Sequence, residues 1–595
     1  MIMLKGRTAM LSAGLLFALA GTALADVPAV LDRVPANAGM VIAVRNMEQT
    51  KDRMESMSKK LNAPMDQGGD DNPLNMAKKL LGTAGLNKTG SMAVVMMPGD
   101  NGQMELEGEE GKENAFILVP VSDYSAFAKG MGATDAAGVS AITVDEKPAF
   151  LKDIGGGYAA MGPSKDRIGA FEGKPGNQAT HVKSLGKAGA QIADRSDVLF
   201  VMNVAAFKTQ IDEGVAKMKE ETNDMVEMAG PQGEQLKGMI GVMQGIAESF
   251  ARDGQVGIAG LGLGEAGVSI DFGAQFKEGS DSAKMLSNTG NASSFLARLP
   301  AQPFLMAFAM DMTNPGVKNF MKAMNKAGEQ NPMGVGLGNL KDVEKLNGMA
   351  MVMGASKGGI MGGLFANTTT FISTADPKAY VASLQDTMKE MNGKEVEGIK
   401  FSTEYKPAEA DVAGVKADTW TMSMEADEEN PQAGMIGMMQ QMMFGPEGPG
   451  GMLAPVENGV VMSMSKNTPL FTSAVEAGKS GNGLANEAMI KDVQAQLPNN
   501  RMFEFYLGTK SIMEAINGAM GMMGGGAQMK VPAKVSHIGM AAGAEGGGVD
   551  FRIFVPTDVI ETIAAAAKEM QQMEEGEDEE GGDGEAAPAD SKPRF

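Results

Sequence analysis

Cysteine is absent from the 595-residue chain, which excludes disulfides and a lipid-modified cysteine behind a leader peptide. Histidine is nearly absent. The only two, His181 and His537, stand far apart with no partner near either, so a His-assisted nucleophile or His-ligated zinc is all but excluded. Aromatics are scarce, with five Tyr and one Trp, which disfavours sugar-stacking sites and leaves carboxylate-only glycan chemistry as the surviving hydrolytic option. Beyond the N-terminal leader no segment approaches the ~20 apolar residues of a membrane span. Cations are outnumbered, 52 Lys and Arg against 74 Asp and Glu, for a net charge of -22. That balance argues against nucleic acid, whose binding rests on cations neutralising phosphates, and against anionic lipid surfaces.

What is present begins with residues 1–25. Lys5 and Arg7 precede an apolar stretch at 9–20, and Ala23-Leu24-Ala25 precedes Asp26. This pattern is a secretory signal peptide cleaved near Ala25. It predicts a periplasmic or extracellular protein with no transmembrane anchor in its mature form.

Short blocks then recur in order. Arg33-Val34-Pro35-Ala36-Asn37, with an apolar run at 40–44, returns as Arg298-Leu299-Pro300-Ala301-Gln302 with a run at 304–310. Ala115-Phe116-Ile117, leading to Asp123, Ala126 and Phe127, returns as Thr370-Phe371-Ile372, leading to Asp376, Ala379 and Tyr380. Met161 with Ser164-Lys165 returns as Met462 with Ser465-Lys466, and the hairpin-like stretch 258–276 returns at 538–555. Colinear recurrence reads as a tandem duplication. Glycine turns joining apolar runs directly favour antiparallel hairpins over parallel crossovers. The expected fold is therefore α+β, two tandem duplicated domains, each a mainly antiparallel sheet covered by helices. Residues 26–290 form the first repeat, with a helical hairpin inserted at 205–252. Residues 291–573 form the second, with a Met-rich insertion at 430–452, and 574–595 form a disordered acidic tail.

Methionine, 54 residues, replaces Leu and aromatics as filler. In the insertion Asn430 caps and Pro431 opens a helix whose Met435, Met438, Met439, Met442 and Met443 share a face. Met520, Met522, Met523 and Met529 cluster in a glycine-rich stretch. Soft thioethers suit Cu(I), whereas a Met stripe at helical spacing more often serves as core or as an adaptable surface for apolar proteins or peptides. Three catalytic signatures fail on context. Gly354-Ala355-Ser356-Lys357-Gly358 and the glycines at 262–267 both read as hairpin turns, since the elements that should follow them are not helices. Ser56-Met57-Ser58-Lys59 and Lys88-Thr89-Gly90 lie too close together to frame a transpeptidase site. The repeated Asp123/Asp376 read as helix caps, and the repeated Ser-Lys pairs as helix starts.

Val34-Pro35-Ala36-Asn37 followed by Gly39 and the apolar strand, with its echo at 298–324, resembles a broad group of exported bacterial proteins of unknown function that open with a Pro-Ala-(Asp/Asn) strand-helix block. The resemblance implies an envelope or extracytoplasmic location and two related halves, and carries no activity, cofactor or catalytic residue. The sequence therefore predicts a non-enzymatic, cofactor-free binding or structural protein of the bacterial envelope. Its alternatives are a Met-rich soft-metal or hydrophobic-ligand binder and a carboxylate-only glycan-acting enzyme.

Overall fold

The structure, a computed structural model, describes residues 27–61, 80–105, 113–135, 137–144, 146–228, 233–328, 343–356, 362–396, 399–426, 433–522 and 528–580. The leader, the expected helix start at Asn430-Pro431, Met523 and residues 581–595 lie outside them.

Apolar runs separated by glycine turns form the strands. In the first half these are β1 Met40–Val44, β2 Met92–Met96, β3 Ala115–Pro120, β4 Val139–Val144, β5 Lys147–Gly155, β6 Tyr158–Gly162, β7 Val198–Asn203, β8 Gly254–Leu263 and β9 Gly267–Phe276. In the second they are β10 Phe304–Asp311, β11 Leu346–Gly354, β12 Thr368–Thr374, β13 Glu395–Val396, β14 Ile399–Val412, β15 Val415–Ala426, β16 Gly450–Val456, β17 Gly459–Ser463, β18 Arg501–Leu507, β19 Ile538–Glu545 and β20 Gly548–Pro556. Mixed helix and strand is thus as expected. The two separate sheets are not: every strand belongs to one antiparallel sheet, because β9 pairs along its whole length with β20.

Across the sheet the order is β4-β5-β6-β3-β2-β1-β7-β8-β9 and then β20-β19-β18-β10-β11-β12-β17-β16-β15, with β14 and β13 beyond. Read outward from the β9/β20 seam, the two halves have the same order up to β4 and β15. The recurring sequence blocks fall on matching strands: β1 and β10, β3 and β12, β6 and β17, and the β8–β9 and β19–β20 hairpins. One block is displaced. Ladder register sets Phe116 opposite Val95 and Phe371 opposite Ala350, which places Phe371 level with Leu118, two residues on. A two-residue slip keeps every side chain on its face, so the similarity of the letters could not detect it.

The seam has a local twofold. Asp271 and Arg552 are each the fifth residue of their strand, they face each other across it, and Arg552 Nε donates to Asp271 Oδ1 at 2.5 Å. At one end Phe276 N donates to Gly547 O at 3.2 Å, and at the other Thr557 N donates to Ala266 O at 3.0 Å.

Helices cover both faces. Gln178–Arg195 lies over β8, β9 and β20 on one face, seated closely because Gly260 and Gly273 leave room for Ile192, which a Cβ would meet at 2.9 Å and 2.6 Å. The other face carries Met47–Leu61 after β1, Lys208–Met228 and Gly233–Asp253 after β7, Pro315–Gly328 after β10, Thr509–Met522 after β18 and Thr557–Glu580 after β20. The expected tail boundary at 574 falls inside this last helix.

Candidate functional site

Ladder register makes paired residues point the same way, so the composition of the second face can be read across the seam. One lane runs Phe200, Ala259, Phe272, Phe551, Ala542 and Phe503. The adjacent lane runs Val198, Leu261, Ile270, Ile553, Met540 and Phe505. Twelve side chains over six strands are all apolar, and none is fully buried. Phe272 is 49 % and Ile270 41 % exposed, beside a core in which strand residues such as Ala43, Ala93 and Leu118 are wholly buried. A monomer rarely leaves so continuous an apolar strip uncovered.

Two helix walls flank the strip at opposite strand ends. Near Leu263 stand Met47–Leu61 and Thr557–Glu580, packed on each other and on β8, β9 and β20, with Lys60 Nζ 3.7 Å from Glu561 Oε1. Near Gly254 stand Gly233–Asp253 and Pro315–Gly328, also packed together, with Phe250 edge-on to Phe276 at 6.5 Å. The exposed apolar side chains of the walls extend their buried stripes at helical spacing. Leu61 follows Met57 by one turn, Ile563 follows Val559, Phe320 follows Val317, and Met243 and Ile246 precede Phe250. The strip between the two walls is a trough with an apolar floor.

The opposite face beneath the seam carries buried charge. Asp271, Asp550 and Arg552 are buried there, with Arg195 close enough to act on all three electrostatically. Burial, partly offset by Arg552, raises the Asp550 carboxyl to about 6. Burial likewise raises Asp271, against the pull of Arg552. These carboxylates are held under a helix rather than at a cleft.

The structure separates the residues singled out from sequence. Met438 and Met442 are exposed and Met439 and Met443 half-buried on the helix Ala433–Phe444, which lies on β15. The side chains of Met435 and Met522 lie outside the described set. Met520 packs with buried Met513, Met529 and Ala566 between Thr509–Met522 and Thr557–Glu580, and Thr509–Met522 lies on β10. Four strands, β16, β17, β12 and β11, intervene between β15 and β10. Asp123 and Asp376 are helix caps, accepting from Ala126 N at 3.1 Å and Ala379 N at 3.0 Å. Ser164 caps the helix Lys165–Ala170. Ser465 and Lys466 instead line an open cavity of about 920 Å³ with Thr421, Phe444 and Glu447, while Asn467 caps the following helix. The glycines at 262–267 turn β8 into β9, and Gly354 ends β11, which pairs with β12.

His181 Nε2 lies 3.0 Å from Val34 O. His537 is buried against the Phe304 ring at 4.7 Å, with neither ring nitrogen hydrogen-bonded among the described residues. Burial lowers both pKa values, so both rings are neutral near pH 7. Among the described residues no three His, Asp or Glu side chains group as a metal site, and no helix is long and apolar enough to cross a membrane.

The trough was not visible in the sequence, though one signal pointed to it. Val198-Leu199-Phe200-Val201-Met202 is apolar at every position, the mark of a strand with two apolar faces, and of these five only Leu199 is fully buried. No protein-family model, curated protein or solved structure matches the chain.

Proposed function

We propose that this is an exported, non-enzymatic binding protein of the bacterial envelope, built from two tandemly duplicated halves, that holds an apolar ligand against the open sheet face. The observation that carries the reading is the strip from Phe200 to Phe503, apolar across six strands and partly open to solvent. Burying it would be favourable by roughly 25 cal/mol for each Å² removed from water. The shared strand order, the matching blocks and the paired seam contacts support the duplication. The leader-like residues 1–25 support export. The enclosure of Asp271 and Asp550 supports a binding role over carboxylate catalysis.

The test is native mass spectrometry of the mature protein isolated from its own host, before and after extraction with organic solvent. Co-purifying apolar mass that solvent removes from the folded chain supports the proposal. A bare chain that also fails to take up an apolar fluorophore such as N-phenylnaphthylamine overturns it.

A further inference from the structure

We infer that two copies of the chain join edge to edge through β4, antiparallel about a twofold axis at Ala141. The inference is independent of the apolar-ligand reading and concerns the far end of the sheet.

The two halves differ at one place in their strand order. Counted outward from the seam, β4 is the counterpart of β15. The helices before them, Tyr124–Gly130 and Pro377–Met391, both have aspartate caps, and the strands after them are β5 and β6 in one half, β16 and β17 in the other. β14 pairs antiparallel with β15 along its outer edge, whereas among the described residues β4 pairs with β5 alone. The first half therefore lacks the strand that closes the second.

β4 has hydrogen-bonding groups to offer there. Opposite residues along an antiparallel ladder alternate between bonded and unbonded pairs. Val144 and Lys147 close the turn between β4 and β5, a bonded pair in a two-residue hairpin. The next pair, Thr143 and Pro148, is then unbonded, as suits a proline with no N–H. Thr143, with Ala141 and Val139 by alternation, turns its N–H and C=O outward. Among the described residues no backbone hydrogen bond reaches these groups.

The edge also carries none of the features that keep sheet edges apart. Val139–Val144 reads Val-Ser-Ala-Ile-Thr-Val, with no charge, no proline and no register shift. The opposite end of the sheet has all three, in Lys400, Glu404, Lys406, Pro407 and the shift between Lys406 and Ala410.

A second copy is the occupant this strand selects. About a twofold at Ala141, Val139 meets Thr143 of the other copy and Ala141 meets its own equivalent, so every outward group is bonded reciprocally. The side chains that meet on the exposed face are small or β-branched and uncharged, as sheet pairing favours, in a chain that otherwise carries a net charge of -22. Self-complementary twofold contacts are the commonest form of homo-oligomer.

Sedimentation equilibrium of the whole mature protein, over rising concentration and ionic strength, tests the inference. A monomer–dimer equilibrium is expected, tightened by salt because the acidic copies repel each other. Ala141→Pro removes the N–H at the twofold from each copy without touching the bonds to β5. It should weaken the dimer about ten-fold, the loss of two backbone hydrogen bonds, at unchanged circular dichroism. Ala141→Lys, which sets like charges opposite each other, should weaken it with the fold equally intact. Because the chain has no cysteine, single introductions read the register. Ala141→Cys should form a disulfide-linked dimer on mild oxidation, its two Cα about 5.5 Å apart, and Thr143→Cys, whose opposite is Val139, should not. A monomer at every concentration, a dimer that Phe272→Glu abolishes and Ala141→Pro leaves intact, or equal linkage of the two cysteine variants overturns the inference.

Discussion

At the scale of single residues, the repeated letters hold repeated jobs. Arg33 Nη1 donates to Gly173 O at 2.9 Å and Arg298 Nη1 to Gly478 O at 2.6 Å, each tying the segment before the first strand of its half to a distant backbone carbonyl. Arg33→Ala and Arg298→Ala should each cost about 1.5–3 kcal/mol. The losses should add in the double variant, because the two sites share no partner; urea unfolding of the four proteins measures this. Asp550 makes the opposite kind of prediction. Its carboxyl titrates near 6 in the fold against a usual 3.8, so its contribution to stability is full below the lower value and is lost as pH climbs through the upper one. Asp550→Asn should therefore gain in melting temperature over the parent as pH rises from 4 to 7. Parallel melting curves for the two proteins across that range would contradict the assignment.

At the scale of elements, the sequence reached strands whose apolar content is high and helices with clear faces. β2 and β11 carry Met92-Ala93-Val94-Val95-Met96 and Met349-Ala350-Met351-Val352-Met353 at matching ladder positions. The long hairpin β14–β15 was only half legible. β15 shows the alternation that buries Trp420 and Met422, while β14 carries Lys400, Glu404, Lys406 and Glu409 around Pro407 near the sheet's edge, where polar side chains face water and hide the strand period. The trough was hidden for another reason. Whether Phe272 and Ile270 are covered depends on where helices from both halves come to rest, and periodicity within one strand carries no record of that. The Met-rich helix Ala433–Phe444, conspicuous in composition, stands apart from the trough on β15. Deleting the helix residues 433–444 should leave uptake of N-phenylnaphthylamine unchanged, whereas Phe272→Glu should reduce it at least ten-fold; a fluorescence titration of the three proteins decides.

At the scale of the whole molecule, one seam makes two halves into a single sheet. Residues 26–290 alone would expose β9, and residues 291–595 alone would expose β20, each an open edge of the kind that recruits another strand. Expressed separately, the halves should self-associate or aggregate. Co-expressed, they should form a one-to-one complex, because the β9–β20 ladder and the Arg552–Asp271 pair need no covalent link. Asp271→Ala should weaken that complex strongly, since Arg552 would then be buried without its acid. Size-exclusion chromatography of the halves, alone and together, measures both. The pairing also creates the trough, whose floor takes three strands from each half and whose walls both draw helices from each.

The most direct measurement is photo-crosslinking of the intact mature protein with a small diazirine-bearing apolar probe, followed by peptide mapping. The account predicts label on Gly267–Phe276 and Gly548–Pro556, at Ile270, Phe272, Phe551 or Ile553. Label confined to Ala433–Phe444, or to no segment of the chain, would contradict it.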